Sequence, residues 1–195
     1  MHIFAGLFKN RTLSSPKGLS TRPTSGRLRE AVFNIVQSYI QDADFLDLFA
    51  GSGAVGLEAL SRGAKSAVFV DHNKECIKCI QNNLEKLEIK KQGKVIYGDV
   101  FLVLRKLEKE GKQFDIIYVD PPYELQRKTS EGEIAYSQQI LTMIDQSEIL
   151  KKGGVFFIEE ASSFSPESEN LKSLTLHNSR QMGRSSLHQY IKEDI

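Results

Sequence analysis

The sequence is short of cysteine, of long apolar runs and of net charge, and each shortage excludes something. Two cysteines in 195 residues, Cys76 and Cys79, are too few for a disulfide framework. They stand three apart in a helical stretch with no second Cys or His pair nearby, which suits a buried helix face rather than zinc, and no metal is expected. No apolar run reaches the ~18 residues of a transmembrane helix. The N-terminus has neither the apolar h-region nor the small-residue cleavage site of a signal peptide. The expectation is a cytoplasmic protein with no membrane partner. Charge almost cancels, at +1, so the chain as a whole has no electrostatic pull on nucleic acid. Internal repeats and low-complexity tracts are lacking too.

What remains is an ordinary globular composition, 40% hydrophobic and 26% charged, in a length that suits one domain with a substantial core. The charge is unevenly spread. Residues 1–30 hold Lys9, Arg11, Lys17, Arg22, Arg27 and Arg29 against Glu30 alone, and residues 31–195 are net acidic. A basic arm on a slightly acidic body suggests a phosphate-facing patch. The arm, 1–23, mixes Gly, Ser, Pro and basic residues and reads as one or two short strands ahead of a domain at 24–195.

Thr24 or Ser25 can cap a helix to about Tyr39, with Leu28, Ala31, Val32, Ile35 and Val36 at helical spacing. Strands are expected at 45–49, 66–70, 94–97, 114–119 and 154–160, with helices at 55–62, 73–88, 99–109 and 134–147 between them. Continuous apolar runs such as Ala67-Val68-Phe69-Val70 mean strands covered on both faces. Strand and helix alternating at this spacing mean an α/β, doubly wound, mostly parallel sheet. Residues 171–177 and 186–191 read as two strands joined around Met182-Gly183-Arg184. There is no room for a crossover helix, so they should pair antiparallel at a sheet edge and bring the strand number to seven.

Phe45-Leu46-Asp47-Leu48-Phe49 runs into Ala50-Gly51-Ser52-Gly53-Ala54-Val55-Gly56, a strand, a glycine turn and a helix start. This is the layout of a nucleotide site at the carboxyl ends of strands. Gly51, Gly53 and Gly56 match the spacing of a dinucleotide fingerprint, which brings a nicotinamide enzyme into consideration. Asp47 argues otherwise: a carboxylate inside the strand suits a cationic amino-acid end and would repel a pyrophosphate. No Gly-Lys-Ser/Thr follows, so a P-loop is excluded. Asp71 ends the second strand, where an acid reaches the two hydroxyls of a ribose. Asp99 follows the third, placed to take an adenine amino group with Val100 or Phe101 against the ring.

Asp120-Pro121-Pro122-Tyr123 closes the next strand, Phe114-Asp115-Ile116-Ile117-Tyr118-Val119. Pro-Pro ends strands in any case, but an acid, two prolines and an aromatic also make a rigid, stackable edge that accepts hydrogen bonds from the exocyclic amine of a flat base. Four acids at four successive strand ends, Asp47, Asp71, Asp99 and Asp120, would ring one crevice.

With both motifs placed, the chain resembles the Rossmann-like S-adenosylmethionine-dependent methyltransferases that modify exocyclic amines. Asp47-Leu48-Phe49-Ala50-Gly51-Ser52-Gly53 is similar to their cofactor motif and Asp120-Pro121-Pro122-Tyr123 to their catalytic motif. It resembles more closely the bacterial 16S ribosomal RNA guanine-N2 methyltransferases. The resemblance lies in Arg22-Pro23-Thr24-Ser25-Gly26-Arg27-Leu28-Arg29-Glu30 with Phe33-Asn34, in residues 47–60, and in Ala5-Gly6 with Lys9-Asn10-Arg11. It spans roughly residues 3–160. Gly26 stands where the family usually has an acid, and the tail around Gly183-Arg184 matches only loosely.

The resemblance implies S-adenosylmethionine as cofactor, held by Asp47, Phe49, Gly51, Ser52, Gly53, Asp71, His72, Asp99 and Val100. It implies catalysis by Asp120, Pro121, Pro122 and Tyr123, and RNA contact through Arg11, Arg22, Arg27 and Arg29. The partner would be ribosomal RNA in the small subunit or an assembly intermediate.

Three other readings compete. A DNA adenine-N6 methyltransferase would use the same tetrapeptide, but it needs surface to read bases in a groove, and three strands use most of the 72 residues after Tyr123. Missing recognition mass favours folded or ribosome-bound RNA. A glutamine-amide methyltransferase fits the basic arm less well. A non-catalytic RNA-binding assembly factor would have no use for four intact strand-end acids.

Overall fold

The computed structural model describes residues 1–16, 26–122, 126–129, 132–163 and 171–193. Seven strands form one mixed, mostly parallel sheet with an antiparallel edge, as the alternation of apolar runs and helical periods predicts. The chain divides into two compact units, Met1–Lys106 and Leu107–Ile195.

The first unit opens with residues 1–16, then α1 (Gly26–Ile35), β1 (Asp44–Leu48), α2 (Ala54–Ser61), β2 (Ser66–Asp71), α3 (Lys74–Lys86) and β3 (Gly93–Tyr97), and reaches into α4 (Val100–Lys109). The strands pair in parallel, with Leu48 beside Val70 and Asp71 beside Tyr97, so their carboxyl ends are level. Phe45, Leu46 and Leu48 are fully buried, and Asp47 alone interrupts that apolar run. Every residue of α2 is buried. Gly56 makes that possible: a Cβ there would stand 2.3 Å from Phe69 Cε1, so only glycine lets α2 close on β2. The side chain of Asn73 caps α3 by accepting from the Glu75 N–H at 2.8 Å.

Residues 1–16 are docked, not a loose tail. His2 bridges Thr12, the Ile3 N–H donates to the Arg11 carbonyl at 3.1 Å, and Ile3 and Leu13 are buried. The anchor is Glu58 on α2, fully buried. Its carboxylate accepts the Phe4 N–H at 2.8 Å, the Ala5 N–H at 3.0 Å and the Arg62 Nε–H at 2.8 Å.

The second unit holds β4 (Phe114–Val119), β5 (Gln126–Thr129), β6 (Gly132–Ala135), α5 (Tyr136–Asp145), β7 (Leu150–Ala161), β8 (Leu174–Met182) and β9 (Ser185–Lys192). β4 pairs parallel with β7, and β9 pairs antiparallel with both β7 and β8. β7 starts earlier than expected because Leu150 already pairs with Phe114, ahead of Gly153 and Gly154. β8 starts later than 171 because the Asp145 carboxylate holds the Lys172, Ser173 and Leu174 N–H groups at 2.8 to 3.0 Å. Between β4 and α5, β5 and β6 pair as an antiparallel hairpin. The expected caps Thr24 and Ser25 lie outside the described residues.

Candidate functional site

The chain leaves β1 through a turn built for close approach. Phe49 has φ 58°, Gly51 φ 55° and Gly53 φ 76°. Left-handed backbone is rare for an aromatic residue and marks a conformation imposed by its surroundings. A Cβ on Gly51 would meet only the Phe49 carbonyl, 3.9 Å away, so the outer side of the turn has room for a ligand.

The turn is tethered at successive residues. Ala50 N–H donates to the Val70 carbonyl at 3.1 Å, and Gly53 N–H to the Ala50 carbonyl at 2.7 Å. Gly51 N–H donates to Asp71 Oδ2 at 2.8 Å. The Ser52 carbonyl accepts from Asn83 Nδ2 at 3.2 Å.

Asp47 lies beneath the turn, 2% exposed, and accepts the Gly56 N–H at 2.9 Å. Burial pushes its carboxyl up to about 8, the Gly56 N–H opposes that, and the nearby Asp71 carboxylate adds to it. The consequence for stability has a definite sign. Between about pH 4, where the unfolded chain loses this proton, and about pH 8, where the folded chain loses it, the folded state binds more protons. Stability of the cofactor-free protein from this group therefore falls as pH rises through that window. Asp47→Asn keeps an acceptor for Gly56 and removes the penalty. We predict that its melting temperature in the absence of cofactor equals that of wild type at or below about pH 4 and exceeds it increasingly toward pH 8. Parallel melting curves at the two pH values would contradict the assignment.

Asp71, 5% exposed, does more than the sequence suggests. Its Oδ2 holds Gly51 and its Oδ1 accepts the Asn73 N–H at 2.8 Å, so it clamps the glycine turn to the turn before α3. A carboxylate keeps further lone pairs for a ribose. His72 is exposed, with Nδ1 3.8 Å from Asp71 Oδ1. Asp99, exposed, accepts the Leu102 N–H at 3.1 Å and so caps α4, while Val100 and Phe101 behind it are buried. Three of the predicted acids thus stand at or near the carboxyl ends of three adjacent strands of the first unit, and Asp47 and Asp71 are electrostatic neighbours. In the second unit Asp120 is the first residue after β4 and half-buried, Pro121 is buried and Pro122 exposed. Tyr123 lies outside the described residues, as do Lys17 and Arg22.

Among the predicted RNA contacts, Arg11 and Arg27 are exposed, and Arg11 also donates to the Lys86 carbonyl at 3.3 Å. Arg29 is a correction. It is 2% exposed, with its guanidinium 4.2 Å over the Phe4 ring, a bond of 2.6 Å to the His2 carbonyl, and Nε 3.8 Å from Glu58. It holds the arm rather than facing phosphate. Its position, three before Val32 and four before Phe33, put it on the apolar face of α1, and that spacing was the available signal. Glu58 and Asn83 were also missed as site-supporting residues. Both are polar residues in otherwise buried positions of helices, and both are fully buried.

Comparison with known proteins places this geometry among relatives. A family model described as "Conserved hypothetical protein 95" matches residues 1–191. "Putative rRNA methyltransferase YlbH" of Bacillus subtilis is 36% identical over 159 residues, 82% of each chain. "Ribosomal RNA small subunit methyltransferase D" of Haemophilus influenzae is 29% identical over 159 residues, 82% of this chain and 78% of that one. A solved structure, "Putative methyltransferase yhhF from Escherichia coli", superimposes with a TM-score of 0.82 at 28% identity and covers 100% of this chain and 99% of its own.

Proposed function

Because this chain belongs to the family described as conserved hypothetical protein 95, we propose that it is an S-adenosylmethionine-dependent methyltransferase acting on ribosomal RNA, and that its target is the exocyclic N2 amine of a guanine in 16S RNA of the small subunit. The observation that carries this is the left-handed turn Phe49–Gly53, clamped by Asp71 and underlain by the buried acid Asp47.

The donor set fits the cofactor. A carboxyl whose burial opposes ionisation is one that a cationic amino group would bring back to its charged form. Asp47 takes that role. The turn Gly51-Ser52-Gly53 with Phe49 lines the cofactor, Asp71 and His72 take its ribose, and Asp99 with Val100 takes its adenine. Bound S-adenosylmethionine supplies an electrophilic methyl group on a sulfonium.

The remaining work belongs to the chain. A guanine N2 is a poor nucleophile because its lone pair is delocalised into the ring. The Asp120 carboxylate and the Pro121 carbonyl accept its two N–H bonds, turn the lone pair toward the methyl and stabilise the positive charge that develops on nitrogen. Removal of the proton follows transfer, so Asp120 need not abstract it beforehand. Tyr123 stacks on the base. The base reaches this edge only when unpaired or flipped out. Arg11, Arg22 and Arg27 hold phosphates, with an affinity that falls as salt rises.

The test is direct. The purified chain is incubated with methyl-labelled S-adenosylmethionine and small-subunit RNA or particles, and the RNA is digested to nucleosides. Label is expected in N2-methylguanosine. Label in N6-methyladenosine, or none in RNA, overturns the reading.

A further inference from the structure

Asn83 lies on the buried side of α3 with Cys76, Cys79, Ile80 and Leu84, and is itself fully buried. Its amide is used on every side. Oδ1 accepts the Ser14 N–H at 2.8 Å, and Nδ2 lies 3.1 Å from the Ser14 carbonyl and 3.2 Å from the Ser52 carbonyl. One side chain thus joins the end of the docked N-terminal segment to the middle residue of the glycine turn.

The junction is reinforced on both sides, since Ser52 Oγ also donates to Met1 Sδ at 3.7 Å. The Cys79 thiol approaches the Ser14 carbonyl at 3.2 Å, and Lys86 Nζ donates to Ser14 Oγ at 2.5 Å. The neighbours of Ser52 in the turn are fixed from within the sheet: Gly51 by Asp71, and Ala50 by Val70. The Ser52 carbonyl is held from outside the sheet, by Asn83.

We propose that Asn83 is a positioning residue for cofactor binding: it transmits the docking of residues 1–16 to the Ser52 carbonyl and holds the glycine turn in its binding form. The inference rests on the placement of the cofactor at that turn. A turn that holds an aromatic residue, Phe49, in the left-handed region is costly to hold, and a fully satisfied buried polar tether helps to fix it. Asn83 touches no reacting atom, so its loss should weaken cofactor affinity and leave the bound complex as reactive as before.

The experiment measures S-adenosylhomocysteine affinity by calorimetry for the full chain and three variants, with kcat and KM for S-adenosylmethionine on RNA. Asn83→Ala should raise the Kd about tenfold, the scale of one buried hydrogen bond, with kcat at saturating cofactor changed less than twofold. Ser14→Pro removes the N–H that Asn83 accepts, leaves every residue of the turn itself unchanged, and should raise the Kd several-fold. The double variant should be no weaker than Asn83→Ala, because both changes cut one connection. Should Asn83→Ala fail to fold, Ser14→Pro carries the test alone. Unchanged Kd in Ser14→Pro overturns the proposal, as does an Asn83→Ala effect confined to kcat. Wild type that fails to bind S-adenosylhomocysteine would instead overturn the cofactor site itself.

Discussion

Asp120→Ala should lower the methylation rate by about a hundred- to a thousandfold, the scale seen when an acceptor or donor aimed at transition-state charge is removed, while S-adenosylhomocysteine binds within a few-fold of wild type. The two halves of this result have separate causes. The catalytic half rests on charge: a carboxylate facing a nitrogen that becomes positive stabilises the transition state more than the ground state, so its loss appears in kcat. The binding half rests on position. Asp120 stands just beyond β4 and half-buried, and the bonds that hold the turn at Gly51 and Gly56 come from Asp71 and Asp47. Strand β4 ends at Val119, so its ladder is untouched. Single-turnover methylation of small-subunit RNA, alongside calorimetric titration of the same preparation, reads both. Full activity in Asp120→Ala removes the residue from catalysis. Activity lost together with cofactor affinity would make its role one of binding.

The largest effect on stability should come from Glu58→Ala. Four groups depend on that fully buried carboxylate: the Phe4 and Ala5 amides, Arg62 at 2.8 Å and Arg29 at 3.8 Å. Removing one partner of a buried ion pair leaves the other charge without compensation and costs about 3–5 kcal/mol. Two backbone N–H groups lose their acceptor as well. For a chain of this size each kcal/mol lowers the melting temperature by about 2–4 °C, so a fall of about 6 °C or more is expected. The Phe4 and Ala5 amides should also exchange with solvent much faster, because Glu58 is their acceptor on α2. A melting temperature within a degree of wild type would mean that the arm is held instead by its apolar residues Ile3 and Leu13 and by Ser61, which bonds Ala5, Leu7 and Phe8.

Much of this was legible in the sequence, for physical reasons that also mark where legibility stops. Strands covered on both faces must be continuously apolar, so β1, β2 and β4 show themselves as runs within a residue or so of their true ends. Helices on such a sheet show a 3.6-residue apolar period, and α3 and α4 were found the same way. The β5–β6 hairpin left no such mark. Gln126-Arg127-Lys128-Thr129 has no apolar residue to alternate, and its pairing is a matter of backbone alone. Residue types also announce charge without announcing what covers it. Arg29 counted as one more basic residue in the arm, but it and Glu58 fall on apolar helix faces where each needs the other. Asp71 was legible as a strand-end acid. Its role as a clamp was not, because that depends on where the Gly51 amide points once Phe49 has turned left-handed.

Strand β9 gives the second unit an order of assembly. Ser185–Lys192 follows β7 and β8 in the chain, yet lies between them and is the partner of both. The first unit can zip up as it is synthesised, since β2 finds β1 already present and β3 finds β2. In the second unit, the edge of β7 from Val155 to Ala161, with Phe156 and Ile158 on it, waits bare until a segment some thirty residues later arrives, and β8 has nothing to pair with before then. Long-range pairing of this kind is slow and exposes a sticky edge while it is pending. A nascent chain that stalls ahead of Ser185 would carry a finished first unit beside an open apolar strand, and that strand is where chaperones or aggregation would find it.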